Sequence, residues 1–204
     1  MGIIFIHLLK IGFCQSNELK KEDTLRVNEL NVMGRDSIIK GSYSKADSLI
    51  DLAMMLAEAT NFKSGLFNAY TNKGVVLWYQ DNYPKALEYQ FKALKLAEQI
   101  NNKLCMSRAL ANIGLIYASK SGYVTALDYY QKSLKLKEEI GDKKAISILL
   151  GNMARIYNDR KNNALALEYY FKSLKVLEEV KNNKGLIALN YSGIGNVYQQ
   201  QHDY

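Results

Sequence analysis

Three asparagines, Asn72, Asn112 and Asn152, stand forty residues apart. A primary amide donates through its NH2 group and accepts through its oxygen. That matches the alternating N–H and C=O groups of another chain, so the chemistry on offer is recognition. Residues suited to bond making are missing from the pattern. The two histidines, His7 and His202, lie at the extreme ends of the chain. Gly193-Ile194-Gly195 lacks both the third glycine of a phosphate loop and the strand that precedes one. Cys14 and Cys105 suit neither a metal site nor a disulfide framework. Glu138-Glu139 and Glu178-Glu179 fall in the last turns of helical stretches, where solvation explains them better than acid–base work. The reading is therefore non-catalytic, with no metal and no cofactor.

The forty-residue interval extends well beyond the asparagines. Ala86–Ile100, Ala126–Ile140 and Ala166–Val180 read ALEYQFKALKLAEQI, ALDYYQKSLKLKEEI and ALEYYFKSLKVLEEV, and they also start forty residues apart. A fixed period of this size marks a solenoid. Each unit divides into two helical halves, A and B. Helix B is the quoted stretch, and helix A reads NKGVVLWY, NIGLIYAS, NMARIYND and GIGNVYQQ in successive copies. The last copy is displaced by one extra residue near Lys181-Asn182-Asn183. Short polar turns such as Asp81-Asn82, Ser121-Gly122 and Gly141-Asp142 separate the halves, which suits antiparallel neighbours of about 16 to 18 residues. One proline among 204 residues, with thirteen glycines, fits an all-α chain.

The net charge of +7 is spread through the repeats. Lys92, Lys95, Lys132, Lys135, Lys172 and Lys175 recur with the period, with acidic residues a turn later. That pattern is a solvated helix face of mixed charge, and no basic block or nucleic-acid reader motif accompanies it.

Small residues occupy fixed offsets. Gly114 precedes Ala126 by twelve residues, and Ser133 follows seven later. Neighbouring units supply Gly74, Ala86 and Ala93, then Ala154, Ala166 and Ser173, and a degenerate first unit supplies Gly34, Ala46 and Ala53. Helices approach to about 8 Å only where contact positions are small. Tyr117 and Tyr157 on helix A, with Tyr130 and Tyr170 on helix B, are the large partners. This signature resembles the tetratricopeptide repeat. Two departures stand out: the common unit has about 34 residues, and its late proline is missing here. Both fit a longer-helix variant of the family.

The resemblance implies an α-solenoid of antiparallel helix pairs, a superhelix of about four and a half repeats. The units would be 23–61, 62–101, 102–141 and 142–182, with helix A of a fifth at 183–204. It also implies that the A helices line a concave groove and that Asn72, Asn112 and Asn152 grip the main chain of an extended peptide. Helices about 10 Å apart and a chain advancing about 3.3 Å per residue place one rung at roughly every third peptide residue. Asn68, Thr71, Trp78, Tyr79, Arg108, Arg155, Asn158 and Asp159 share that face by the same register. Two alternatives stay open. The amides could bond only to neighbouring helices, and Trp78 could be core filler.

Residues 1–14 hold an apolar run, Ile3 to Leu9, followed by Gly12-Phe13-Cys14, which resembles a cleaved export signal. Residues 15–22 then read as a linker, and no later segment is apolar enough to cross a membrane. The expectation is an exported, periplasmic chain, with a cytoplasmic one as the alternative. The array stops at Tyr204 after a helix A, so the sequence reads as the N-terminal part of a larger protein. Its expected role is a scaffold binding a protein or peptide segment in the groove. The alternative is a sensor region of a bacterial two-component signalling protein, because the leader, KEDTLRVNELN (Lys21 to Asn31) and the long repeats look like the N-terminal regions of bacterial membrane-bound histidine kinases and helix-turn-helix regulators.

Overall fold

A turn geometry repeated every twenty residues sets the architecture. Gly41, Asn61, Asp81, Asn101, Ser121, Gly141 and Lys161 all take positive φ, between 49° and 78°. At most of these turns the next N–H reaches back five residues, as in Ser42 N–H to Ser37 O at 2.8 Å and Asn82 N–H to Leu77 O at 2.8 Å. This closure satisfies the orphan carbonyls at the helix end. At four turns the residue after the positive-φ position then caps the next helix: the side chains of Asn82, Asn102, Asp142 and Asn162 accept from the N–H three positions on. The forty-residue unit is thus two halves of twenty, each a helix plus a three-residue turn.

The computed structural model describes the backbone of residues 2–181 and 183–202 and the side chains of residues 21–181 and 183–201. The described residues form α1 (Gly2–Ile39), α2 (Tyr43–Ala59), α3 (Lys63–Tyr79), α4 (Tyr83–Gln99), α5 (Lys103–Ser119), α6 (Tyr123–Ile140), α7 (Lys143–Asp159), α8 (Asn163–Leu177) and α9 (Lys184–His202). The leader expected at residues 1–14 and the chain end at Tyr204 fall outside the residues whose side chains are described. Among the described residues no helix is long and apolar enough to cross a membrane.

The chain divides at the Asn101 turn into two compact units, Met1–Ile100 and Asn101–Tyr204. In the first, α1 packs on α2, α2 on α3, α3 on α4, and α1 also touches α3. In the second, α5 to α9 pack in the same consecutive way, and α7 touches α9. Each unit is the expected all-α stack of antiparallel helix pairs.

Small residues stand where these helices meet. Ala46, Ala86, Ala126 and Ala166 are wholly buried. A Cβ on Gly114 would stand 2.7 Å from the Tyr130 ring and 3.2 Å from the Ala126 carbonyl. Gly74 meets the Gln90 side chain in the same way, and Gly34 meets Ile50. Tyr130 is fully buried, while Tyr117 and Tyr157 lie half-buried with their rings 5.8 and 5.1 Å from Tyr129 and Tyr169.

The periodic lysines form a solvated outer face, as the sequence suggests. Lys92, Lys132 and Lys172 each bond an acid one turn earlier, at 2.6 to 2.7 Å, and lie 4.8 to 5.2 Å over the rings of Tyr89, Tyr129 and Tyr169.

Two turns, at Ser121 and Lys161, carry strain that a glycine would avoid. Ser121 holds φ 57°, a conformation that costs a residue with a Cβ about 1 kcal/mol or more. Ser121→Gly is expected to raise the melting temperature by about 2 °C. Differential scanning calorimetry checks this, and a lower melting temperature would mean that the serine stabilises the turn by more than the strain costs.

Candidate functional site

Helix α7 is the centre of the candidate site. Its seventeen residues place Asn152, Arg155, Asn158 and Asp159 on successive turns of one face, with Asn158 buried and Arg155 and Asp159 exposed. Two cavities open beside it within the Asn101–Tyr204 unit. One, of ≈ 290 Å³, lies toward α5 and α6 and is lined by Arg108, Asn112, Lys137, Ile148 and Asn152, among others. The second, of ≈ 400 Å³, lies toward α9 and is lined by Asn152, Arg155, Asn158, Asp159, Tyr170 and Asn190, among others. Asn152 and Ile148 border both. Six of the groove residues expected from sequence are thereby brought together: Arg108, Asn112, Asn152, Arg155, Asn158 and Asp159.

The smaller cavity is basic. Lys137 is buried with its Nζ 2.8 Å from Asp142, whose other oxygen accepts from the Ala145 N–H at 3.1 Å. Burial alone would raise the Asp142 carboxyl, but the Lys137 ammonium and the Ala145 N–H outweigh it and hold the carboxyl below its ordinary value. Lys137 therefore contributes a fixed ion pair at the cavity wall. Cys105 is half-buried nearby, and burial pushes its thiol up despite the opposing charges of Arg108 and Lys137.

The larger cavity holds polar groups that the fold leaves unengaged. The Asn152 side chain makes no hydrogen bond among the described residues, and Arg155 and Asp159 form no ion pair among them. Burial pushes the Asp159 carboxyl up, partly offset by the Arg155 charge. Tyr170 forms the floor. Burial raises its hydroxyl, and a Cβ on Gly193 would stand 2.3 Å from its ring. Glycine at 193 is what lets α9 rest on that ring.

The remaining candidates lie in the Met1–Ile100 unit. The Asn72 Nδ2 donates to the Asn31 carbonyl at 3.1 Å and to the Asn31 Oδ1 at 3.4 Å, so its donors are engaged with α1. Asn68 is half-buried on α3. Tyr79 is about half-exposed and stacks on Tyr43 with centroids 5.1 Å apart. Trp78 is half-buried with its ring edge against Tyr79 at 4.7 Å.

Sequence reasoning did not single out Asn190, which is buried and whose Nδ2 donates to Leu186 O at 2.8 Å. A signal existed. With the one-residue displacement of the last copy, Asn190 falls where Ala69, Ala109 and Leu149 stand, all buried apolar residues. A lone amide at a core position of a repeat is an anomaly that only the register reveals.

Comparison with known proteins agrees with this architecture. A family model described as tetratricopeptide repeat matches residues 65–139. No curated protein sequence matches the chain. Among solved structures, BtubC (BKLC) from P. vanneervenii is similar with a TM-score of 0.76 at 17% identity, over 93% of this chain and 80% of that one. The aspartyl phosphate phosphatase F of Bacillus subtilis gives 0.72 at 16% identity, over 87% of this chain and 50% of that one. A Signal Transduction ATPase with Numerous Domains from Pyrococcus horikoshii, described as having a tetratricopeptide repeat sensor, gives 0.69 at 21% identity. The match covers 87% of this chain and 28% of that protein. This chain thus spans half or less of the last two.

Proposed function

We propose that this chain, whose residues 65–139 match the tetratricopeptide-repeat model, is a non-catalytic scaffold whose Asn101–Tyr204 unit holds a peptide or protein segment along α5, α7 and α9. The observation that carries this reading is the pair of cavities meeting at Asn152, whose amide is unengaged. Asn112 and Asn152, forty residues apart, would each engage the ligand main chain. Asn72, bonded to α1, would contribute less than the repeat pattern alone suggests.

The test begins with peptides selected from a random display library on the full chain. Their affinity is measured by calorimetry for the wild type and for the Asn112→Ala, Asn152→Ala double variant. The expected outcome is binding weakened by at least about tenfold, as for the loss of two hydrogen bonds near 1 kcal/mol each, with melting temperature and helicity unchanged. Equal affinity in a folded variant would reject the reading.

A second reading places this scaffold in a signalling protein, as its sensor region. It is favoured by the leader-like N-terminus and by the likeness to a protein whose repeats are described as a sensor. An output domain encoded after Tyr204 would support it, and a stop codon soon after would remove it. Export to the periplasm belongs to the same reading and is checked by locating the N-terminus of the protein isolated from cells.

A further inference from the structure

Asn158 and Asn190 both line the cavity between α7 and α9, and the Oδ1 of each is buried at its wall with no hydrogen-bond partner among the described residues. Their side chains are only 8% and 4% exposed. Polar atoms withdrawn from water are nearly always paired, so two orphans lining one cavity point to a missing donor. The identity of the Asn190 oxygen is fixed, because the Nδ2 of that amide already donates to Leu186 O at 2.8 Å. Gly151 leaves room beside it, since a Cβ there would stand 3.4 Å from the same Oδ1.

The charges in the cavity narrow what the donor can be. Arg155 and Asp159, four residues apart on α7, both line it and form no ion pair among the described residues. An entering cation would answer the two oxygens but meet the Arg155 guanidinium. An anion would answer Arg155 but meet Asp159 and both oxygens. A neutral group that both donates and accepts meets no like charge. We propose that this cavity receives a neutral primary amide, the side chain of a glutamine or asparagine in the bound segment. Its NH2 donates to Asn158 and Asn190 and its carbonyl accepts from Arg155. The proposal rests on the groove reading above and adds a side-chain preference to it.

Four blocked tripeptides, Ac-Gly-Xaa-Gly-NHCH3 with Xaa as Gln, Glu, Lys or Leu, test this by titration into the full chain; the N-methylamide block leaves the glutamine side chain as the one primary amide in the series. The main-chain amides are common to all four, so differences report on the side chain alone. The readout is the side-chain amide resonances of Asn158 and Asn190 in 1H–15N spectra. The Gln peptide is expected to shift both and to bind at least about tenfold more tightly than the Glu, Lys or Leu peptide, the size expected when buried polar groups lose their partner. Asn158→Leu should abolish the preference. The near-isosteric Asn190→Asp should move it toward the Lys peptide, which keeps the test valid if the leucine variant fails to fold. Equal or tighter binding of the Glu, Lys or Leu peptide, or unmoved Asn158 and Asn190 resonances with the Gln peptide, would overturn the proposal. If library-selected peptides still need Asn112 and Asn152 yet show no amide preference, this inference fails and the groove stands. If no peptide binds at all, both fail.

Discussion

Gly114→Val is expected to destabilise the Asn101–Tyr204 unit by on the order of 3 kcal/mol, the upper end for overpacking a filled interior. A Cβ at this position would stand 2.7 Å from the Tyr130 ring and 3.2 Å from the Ala126 carbonyl oxygen. Neither neighbour can yield. Tyr130 is wholly buried, and the carbonyl belongs to the backbone of α6. Two branched methyls beyond that Cβ would force α5 and α6 apart at the point where the repeat brings them closest. The check is chemical denaturation followed by circular dichroism. Tyr130→Leu in the Gly114→Val background is expected to restore part of the loss, since it removes the ring that the valine strikes. Gly195→Ala supplies the opposite control. Nothing lies within 4 Å of a Cβ there, so the better helix former should add up to about 1 kcal/mol. If Gly114→Val were as harmless as Gly195→Ala, close helix approach through small residues would not be what specifies the stack.

Tyr130 itself carries the second large effect, and its two halves pull in opposite directions. The ring is fully buried among Ala126, Leu149, Met153 and Ile156. Tyr130→Ala empties that space and is expected to cost about 3–5 kcal/mol. The hydroxyl, by contrast, is buried without a hydrogen-bond partner among the described residues. Burial pushes its pKa up to about 12, with the Arg155 charge pulling the other way. Tyr130→Phe removes the orphan oxygen and keeps the ring, so it is expected to be neutral or stabilising by up to about 1 kcal/mol. It should also remove one source of alkaline sensitivity. A phenol whose folded pKa lies above its unfolded value contributes stability that is lost as pH rises from about 10 toward 12. Denaturant titrations of the three forms at neutral pH, and of wild type and Tyr130→Phe at high pH, check both halves. A phenylalanine variant clearly weaker at neutral pH would mean that the hydroxyl has a partner in solution.

Fold and site were not equally legible in the sequence. The period, the helix pairs and the small contact residues could be read because each is a local rule repeated four times: a left-handed turn residue, a cap, and a glycine or alanine opposite a large side chain. The twenty-residue half-period was open to view too, in Gly41, Asn61, Asp81, Asn101, Ser121, Gly141 and Lys161. Its signal is a common φ, since seven positions shared by five residue types show no common letter. The site is another matter, because it depends on departures from the repeat. Asn152 borders both cavities with its side chain unbonded among the described residues, yet Asn72, identical by pattern, spends its donors on Asn31 because α1 brings an amide to that place. Asn190 replaces a core aliphatic only once the extra residue before α9 is counted. Asn158 stands where the preceding units carry Ala118 and Trp78. A repeat alignment predicts what recurs, and ligand chemistry in a repeat protein sits in what does not recur.

The central claim is that the face of α5, α7 and α9 receives a chain segment. The most direct measurement is a 1H–15N titration of the full chain with a library-selected peptide, followed through the side-chain amides. The account predicts that the resonances of Asn112 and Asn152 move together and saturate at one peptide per chain, while Gln131, exposed on the outer helix α6, stays in place. Movement of Gln131 with Asn112 and Asn152 unmoved would contradict it.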